Sequence, residues 1–437
     1  MNASNPPKRI TSTIINALKG GVVPRVGLEY IAVGRDKEIG ALLHDVEIIA
    51  DGGAAFRFIV GKYGSGKSFL LQTIRNYVVE KGFVVVDADL SPERRFVGTK
   101  GQGLATYKEL MKNLSTKTKP DGGALPLILE RWISGIKAEV SAEASLPDYS
   151  AEFEKLVEKR IYTVVNMLEG MVNGFDFAKA ILLYYKAYNE SDDQLKSNVI
   201  KWFRGEYQTK TEAKKELNIN FIVTDDNWYD FIKIFAEFTV HAGYRGMLII
   251  VDELVNIFKI PQTVTRQSNY EKILTMYNDV LQGKAKHIGF LLGGTPQCIE
   301  DKYKGVFSYE ALRSRLSEGR FASDGAKDML SPIIRLNMLT HDEVYVLIEK
   351  IAQMHGQLFD YTPTITQADL IAFLNVEYNR VGASTHITPR EIIRDFIELL
   401  NILLQNPGSD AAAVLNSGGF IPSNVAEEQE AFMEFEL

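Results

Sequence analysis

The sequence predicts an α/β fold: a parallel sheet entered through a glycine-rich loop, interrupted by a helical insertion and followed by a helical lid. Three observations lead there. A β-prone run, Phe56–Val60, meets a glycine-rich turn, a helical pattern over Phe69–Glu80 and a second strand, Phe83–Val86. Strand, loop, helix and strand in that order make a βαβ unit. Two further runs, Met247–Val251 and Ile288–Leu292, are apolar throughout, as strands buried on both faces are. After Ile333–Leu336, read as another strand, the pattern is wholly helical.

The elements follow in order. Ile10, Ile14, Ile15 and Leu18 give a short amphipathic helix closed by Gly20-Gly21, and Arg35–Ile49 carries a second helical pattern. Between about residues 126 and 240 strand signals are few and helical patterns dominate, at Ala151–Leu168, Phe177–Asn189, Asp193–Phe203 and Trp228–His241. Three more helices are expected at His341–Met354, Thr366–Tyr378 and Pro389–Leu404. The expected division is an N-terminal helical segment (1–34), an α/β core (35–338) holding the insertion, a helical lid (339–405) and a flexible acidic tail (406–437).

Composition bounds the function. The chain has 437 residues, enough for two or three domains at ~100–200 residues each. Lys+Arg total 49 and Asp+Glu 56, a net charge of −7, which argues against coating nucleic acid through bulk charge. Cys298 is the sole cysteine, excluding an intrachain disulfide and a Cys-based zinc site, and the histidines show no metal-ligand spacing. Residues 1–9 lack the apolar core of a secretory signal, and no apolar run approaches the ~18–20 residues of a membrane span. The expectation is a soluble, cytoplasmic protein with no membrane partner.

Two motifs carry the chemistry. Gly61, Lys62, Tyr63, Gly64, Ser65, Gly66, Lys67 and Ser68 satisfy the GxxxxGK[ST] pattern. Glycines let successive backbone N–H groups curl around phosphate oxygens, and the helix beginning at Phe69 adds its positive N-terminal end. Lys67 reaches the β- and γ-phosphates and the Ser68 hydroxyl suits Mg²⁺. Met247–Val251 then ends in Asp252-Glu253, two carboxylates at the edge of a parallel sheet where ligands bind. Asp252 is expected to hold the metal shell and Glu253 to polarise the attacking water. Asp87 and Asp89 read as loop caps after their strand. Thr295 follows the Ile288–Leu292 strand, where it either touches the γ-phosphate or only turns the chain. Arg313 and Arg315 share about one helical turn; they are either a solvated face or arginines offered to a neighbouring subunit's nucleotide. Pro389 suits a first helical position, and Arg390 follows it, free to fold back onto a nucleotide.

In this order the motifs resemble the AAA+ ATPases, especially the initiator-like branch. Val33-Gly34-Arg35-Asp36-Lys37-Glu38-Ile39 resembles that branch's segment lying against adenine, Gly61–Ser68 its Walker A motif and Val251-Asp252-Glu253 its Walker B motif. The resemblance implies ATP and Mg²⁺ as cofactors. It places Val33, Gly34, Arg35, Gly61, Tyr63, Gly64, Ser65, Gly66, Lys67, Ser68, Phe69 and Arg390 on the nucleotide, Ser68 and Asp252 on the metal, and Lys67, Glu253, Thr295 (sensor 1) and Arg313 or Arg315 (arginine finger) in catalysis. More narrowly, Asp89-Leu-Ser-Pro-Glu93, Trp202-Phe-Arg-Gly-Glu206, Thr211–Lys215 and His241–Gly246 are similar to those of the BREX-system ATP-binding proteins of the BrxD type. That family implies antiphage defence beside a helicase-like partner, and the AAA+ resemblance implies a homo-oligomer associated with DNA. In residues 196–216, Lys196, Lys201, Arg204, Lys210, Lys214 and Lys215 interleave with Trp202, Phe203 and Tyr207. These residues are either a patch that stacks bases or a helical subdomain with a solvated face and a small core. A nucleotide-gated switch or scaffold with little turnover is the rival reading.

Overall fold

A computed structural model describes residues 6–144, 150–169, 174–317, 328–379 and 387–416. In chain order the elements are α1 (Lys8–Lys19), α2 (Leu28–Ile31), α3 (Asp36–Ala50), β1 (Ala54–Gly61), α4 (Lys67–Glu80), β2 (Val84–Asp89) and α5 (Gln102–Lys112). The insertion supplies α6 (Leu125–Ala144), α7 (Ala151–Glu169), α8 (Gly174–Glu190), α9 (Asp193–Phe203), α10 (Lys210–Leu217) and α11 (Trp228–His241). Then come β3 (Met247–Asp252), α12 (Val255–Phe258), α13 (Thr263–Leu281), β4 (Ile288–Gly294), α14 (Pro296–Glu300), α15 (Glu310–Leu316) and β5 (Ile333–Leu336). The last helices are α16 (His341–Phe359), α17 (Gln367–Tyr378), α18 (Pro389–Gln405) and α19 (Ala411–Asn416).

The expected α/β architecture is present. The five strands form one sheet in the order β2-β3-β4-β1-β5, and β2–β3, β3–β4 and β4–β1 pair in parallel. In that register Val60 lies opposite Gly294, Val251 opposite Leu292 and Asp89 opposite Asp252. The C-terminal ends of β1, β4, β3 and β2 therefore share one edge, the edge that carries ligands in such sheets. Asp87 and Asp89 belong to β2 itself and are not caps beyond it, because the ladder with β3 runs on to Asp252.

The chain divides into two compact units, each with its own apolar core. One takes Gly40–Val60 and Tyr77–Arg335 and contains the sheet and the insertion. The other gathers three separate stretches, Met1–Ile39, Gly61–Asn76 and Leu336–Leu437, over their described residues. In this second unit Ile14 and Ile15 of α1 share a core with Val344, Ile348 and Ile351 of α16, Phe373 of α17 and Phe396 and Leu400 of α18. The expected N-terminal segment is thus one wall of the lid bundle. The lid helices begin as the sequence expects: Thr340, Thr366 and Thr388 each form a reciprocal capping box with the acidic residue three positions on. Within the stretch expected as a tail, Ala411–Asn416 is helical and Leu415 is buried. Residues 417–437, the rest of that expectation, lie outside the described residues.

The structure decides between the two readings of residues 196–216. Trp202, Phe203 and Tyr207 are all nearly fully buried. Trp202 packs edge-on against Phe203 and Phe231, and its indole N–H donates to the Phe221 carbonyl at 2.8 Å. Lys201 pairs with Glu212 at 2.6 Å and Tyr207 donates to Glu216 at 2.6 Å. These rings form a helical subdomain's core and offer no face to a nucleic-acid base, while Lys210, Lys214 and Lys215 are solvated.

Two stability measurements follow. Trp202→Ala removes a buried ring and leaves the Phe221 carbonyl without its donor, so a loss of about 3–5 kcal/mol is expected in denaturant unfolding. His355 is buried in the lid bundle, with Nδ1 2.8 Å from Tyr361 Oη and Nε2 3.2 Å from Asn401 Oδ1. Burial lowers its pKa below the usual histidine range, against a smaller opposing effect of Asn401. The unfolded chain then binds a proton below about pH 6.5 that the folded bundle resists. Stability from this group is complete above that pH and is lost as pH falls toward the lowered folded value. The thermal midpoint of His355→Gln is therefore expected to depend less steeply on pH between 7.5 and 5.5 than that of the wild type.

Candidate functional site

The glycine loop is built as the sequence expects, and its surroundings explain its shape. β1 delivers Gly61 to the sheet edge and α4 starts at Lys67. Between them Ser65 N–H donates to the Lys62 carbonyl at 3.1 Å, and Leu70 N–H to the Gly66 carbonyl at 2.9 Å. Lys67 Nζ donates to the carbonyls of Gly61 (2.9 Å) and Lys62 (3.2 Å). Gly64 has φ +78°, and a Cβ there would stand 2.7 Å from Thr388 Cγ2, so both conformation and contact require glycine. Ser68 is exposed at the first turn of α4, and Phe69 packs partly into the core of the lid bundle.

Thr388 brings the start of α18 onto the loop. Two residues later Arg390 Nη1 donates to Tyr63 Oη at 3.0 Å, with the guanidinium 5.6 Å from the Tyr63 ring centre. Arg390 also packs close to Gly21. Sequence reasoning placed Arg390 on the nucleotide; the structure places it on the loop's own tyrosine. The Val33-Gly34-Arg35 segment lies against α16, where Lys350 Nζ donates to the Ala32 carbonyl at 3.0 Å. Arg35 is buried, and both carbonyls it meets belong to protein backbone: Ser65 at 2.8 Å and Asn337 at 2.7 Å.

In the other unit, β3 ends in Asp252 and Glu253. Glu253 takes φ +63°, a left-handed conformation that costs a non-glycine residue about 1–2 kcal/mol. The surroundings hold it there. Its N–H donates to Asp252 Oδ1 at 2.8 Å, the next residue, Leu254, donates to the Gly293 carbonyl of β4 at 3.0 Å, and Asn256 Nδ2 donates to the Leu90 carbonyl at 2.9 Å and the Glu253 carbonyl at 3.3 Å. Sequence reasoning missed Asn256, since an asparagine four positions after Asp252 carries no motif. Asp89 lies opposite Asp252. Loss of solvation, then the charges of Asp252 and Asp87, push its carboxyl above the usual carboxylate range, against a smaller pull from Arg94.

Thr295 follows β4 and its Oγ1 accepts the Cys298 N–H at 3.3 Å, capping α14. The turn-forming role is therefore present, and its hydroxyl proton is left to donate elsewhere. On α15, Arg313 pairs with Glu310 at 3.7 Å, whereas Arg315 is exposed and bonds its own helix at the Ala311 carbonyl, 2.7 Å away.

With this geometry in hand, comparison with known families is decisive: the model of the BREX system ATP-binding protein BrxC/D family matches residues 7–418. The chain belongs to that family. No curated protein matches it. For a BrxC/D family member the nucleotide is ATP and the setting phage defence. The loop has room for a nucleotide at its turn: Gly66 has φ +85° and, its chain neighbours aside, nothing lies within 4 Å of a Cβ placed there.

Because the left-handed backbone at Glu253 is a local cost, Glu253→Gly is expected to raise stability by up to about 1 kcal/mol in denaturant unfolding. A clear loss would show that the carboxylate's contacts outweigh the strain.

Proposed function

We propose that the chain hydrolyses ATP, with Mg²⁺, and works as a homo-oligomer on DNA beside a helicase-like partner in phage defence. One observation carries the hydrolytic part of this reading. An acidic residue at a strand end is held in a strained backbone by three separate hydrogen-bonding supports, at the sheet edge that also feeds the glycine loop. Strain kept at such a point marks function more often than packing.

In this reading the backbone N–H groups of the glycine loop and the Lys67 ammonium hold the phosphates. Ser68 Oγ and the Asp252 carboxylate are hard oxygen donors of the kind Mg²⁺ takes beside phosphate oxygens and water. Among the described residues no group of three or more His, Cys, Asp or Glu gathers to hold a metal without such help. The bound ion would neutralise charge developing on the transferred phosphoryl group. Glu253 orients a water and accepts its proton as oxygen bonds to the γ-phosphorus and the β–γ bridge breaks, leaving ADP and phosphate. Thr295 donates its free hydroxyl proton toward the attacking water or a γ-phosphate oxygen. Exposed Arg315, in preference to ion-paired Arg313, is the arginine offered to a neighbouring copy. Arg390 exchanges its Tyr63 contact for the nucleotide. The DNA-binding surface is not the aromatic cluster of the insertion, whose rings are core; solvated lysines such as Lys210, Lys214 and Lys215 are the candidates there.

Direct titration and steady-state turnover test the reading together. Lys67→Ala is expected to weaken ATP binding about 10–100-fold, the worth of a charge-assisted contact. Glu253→Gln is expected to bind ATP as the wild type does and to turn over about 100–10,000-fold more slowly. Equal turnover by wild type and Glu253→Gln would remove Glu253 from the chemistry. Near-zero turnover of the wild type at every concentration, with tight nucleotide retention, would favour a nucleotide-gated switch.

A further inference from the structure

Arg35 is a charge buried behind the glycine loop, an arrangement that is costly unless every donor and the charge itself are answered. The answering groups all lie within the unit formed by the N-terminal segment, the loop and the lid. Nη2 donates to the Ser65 carbonyl (2.8 Å) and to the Asn337 carbonyl (2.7 Å), and Nη1 lies 3.9 Å from Glu38 Oε1. Burial lowers the Arg35 pKa, and the carboxylates of Glu38 and Glu343 oppose that effect. Gly34 makes room for the second of these: it has φ +69°, and a Cβ there would stand 2.1 Å from Glu343 Oε1. Asn337 directly follows β5, at the root of the lid helices.

What the guanidinium grips decides what it does. The Ser65 carbonyl and the Gly66 N–H belong to one planar peptide group, trans like every described peptide in the chain, so they point in opposite directions. Fixing the carbonyl toward Arg35 turns the Gly66 N–H the other way. Gly66 itself is uncrowded: its chain neighbours aside, nothing lies within 4 Å of a Cβ placed there. We propose that Arg35 is a positioning residue: it aims the Gly66 amide into the phosphate cradle and, through Asn337, ties the cradle to the root of the lid. This role rests on the ATP-binding reading of the loop and departs from the adenine contact expected of the Val33-Gly34-Arg35 segment.

Calorimetric titration of the full chain with Mg²⁺-ATP and, separately, with Mg²⁺ and inorganic triphosphate tests it. Triphosphate has no base, so it reports the cradle alone. Arg35→Met keeps much of the stem and removes every donor; both ligands are expected to bind about 10–100-fold more weakly. Arg35→Lys keeps one cation without the fork and is expected to fall between Arg35→Met and the wild type for both. A loss for ATP with triphosphate unchanged would overturn the proposal in favour of a base contact, and unchanged binding of both would overturn it outright. Should Arg35→Met fail to give a cooperative melt, Arg35→Lys decides: unchanged triphosphate affinity in a folded protein defeats the proposal. Failure of the ATP-binding reading would look different, since the wild type itself would then bind neither ligand.

Discussion

A backbone loop that closes around a polyanion must turn its N–H groups inward, and the carbonyls of the same peptides then point back into protein. Buried carbonyls need donors. In this chain the demand is met from outside the loop at Ser65, by a guanidinium thirty residues upstream, and from within it by the lysine of the motif itself. The rest of that unit is arranged around the solution. The N-terminal segment must pass behind the loop to deliver Arg35, the lid must start close by to share it through Asn337, and Thr388 must press against Gly64. The contacts that shape the loop are therefore made largely by the lid and the N-terminal segment.

The acidic edge of the sheet poses the opposite problem. Parallel register sets Asp89 opposite Asp252, with Asp87 two residues earlier, so like charges gather where strands end. Repulsion of this kind is tolerated where a cation or a hydrogen-bonding frame answers it. Here part of the frame is visible. Asn256 links the ends of β2 and β3 through the Leu90 and Glu253 carbonyls, and the Asp252 carboxylate takes the Glu253 amide. The same frame holds Glu253 in its left-handed conformation, which couples the electrostatics of the edge to the placement of one carboxylate.

Much of this was legible in the sequence because it rests on local rules. Continuous apolar runs gave three of the strands, β-prone runs interrupted by Arg57 and Arg335 gave the other two, glycine spacing gave the loop, and threonines followed by an acid three positions on stand at the starts of the lid helices. What was not legible rests on tertiary choices. Helix α13 carries buried Arg266 and Asn269 on its inward face, so its apolar stripe is interrupted and gives no clear period. Asn269 fills that place because its carboxamide satisfies the backbone of Phe96, Val97 and Thr265. The aromatics of residues 202–207 look the same in sequence whether they stack on bases or on one another, and burial alone separates the two. Arg35 was legible as part of a motif, but its grip on Ser65 depends on a fold that no spacing reveals.

The first helix of the chain is also the last to find its partners. Helix α1 ends at Lys19 and α16, against which it packs, begins at His341, 322 residues later (341 − 19). At ~5–20 residues per second, a ribosome takes roughly a quarter of a minute to a minute to make that stretch. Throughout that interval the apolar stripe of α1 is exposed without its bundle, while the sheet-bearing unit, complete by Arg335, is free to form first. During synthesis the stripe of α1 would meet the cell's chaperones before its own bundle, and the contacts that shape the glycine loop would wait for Asn337 and Thr388 to be made.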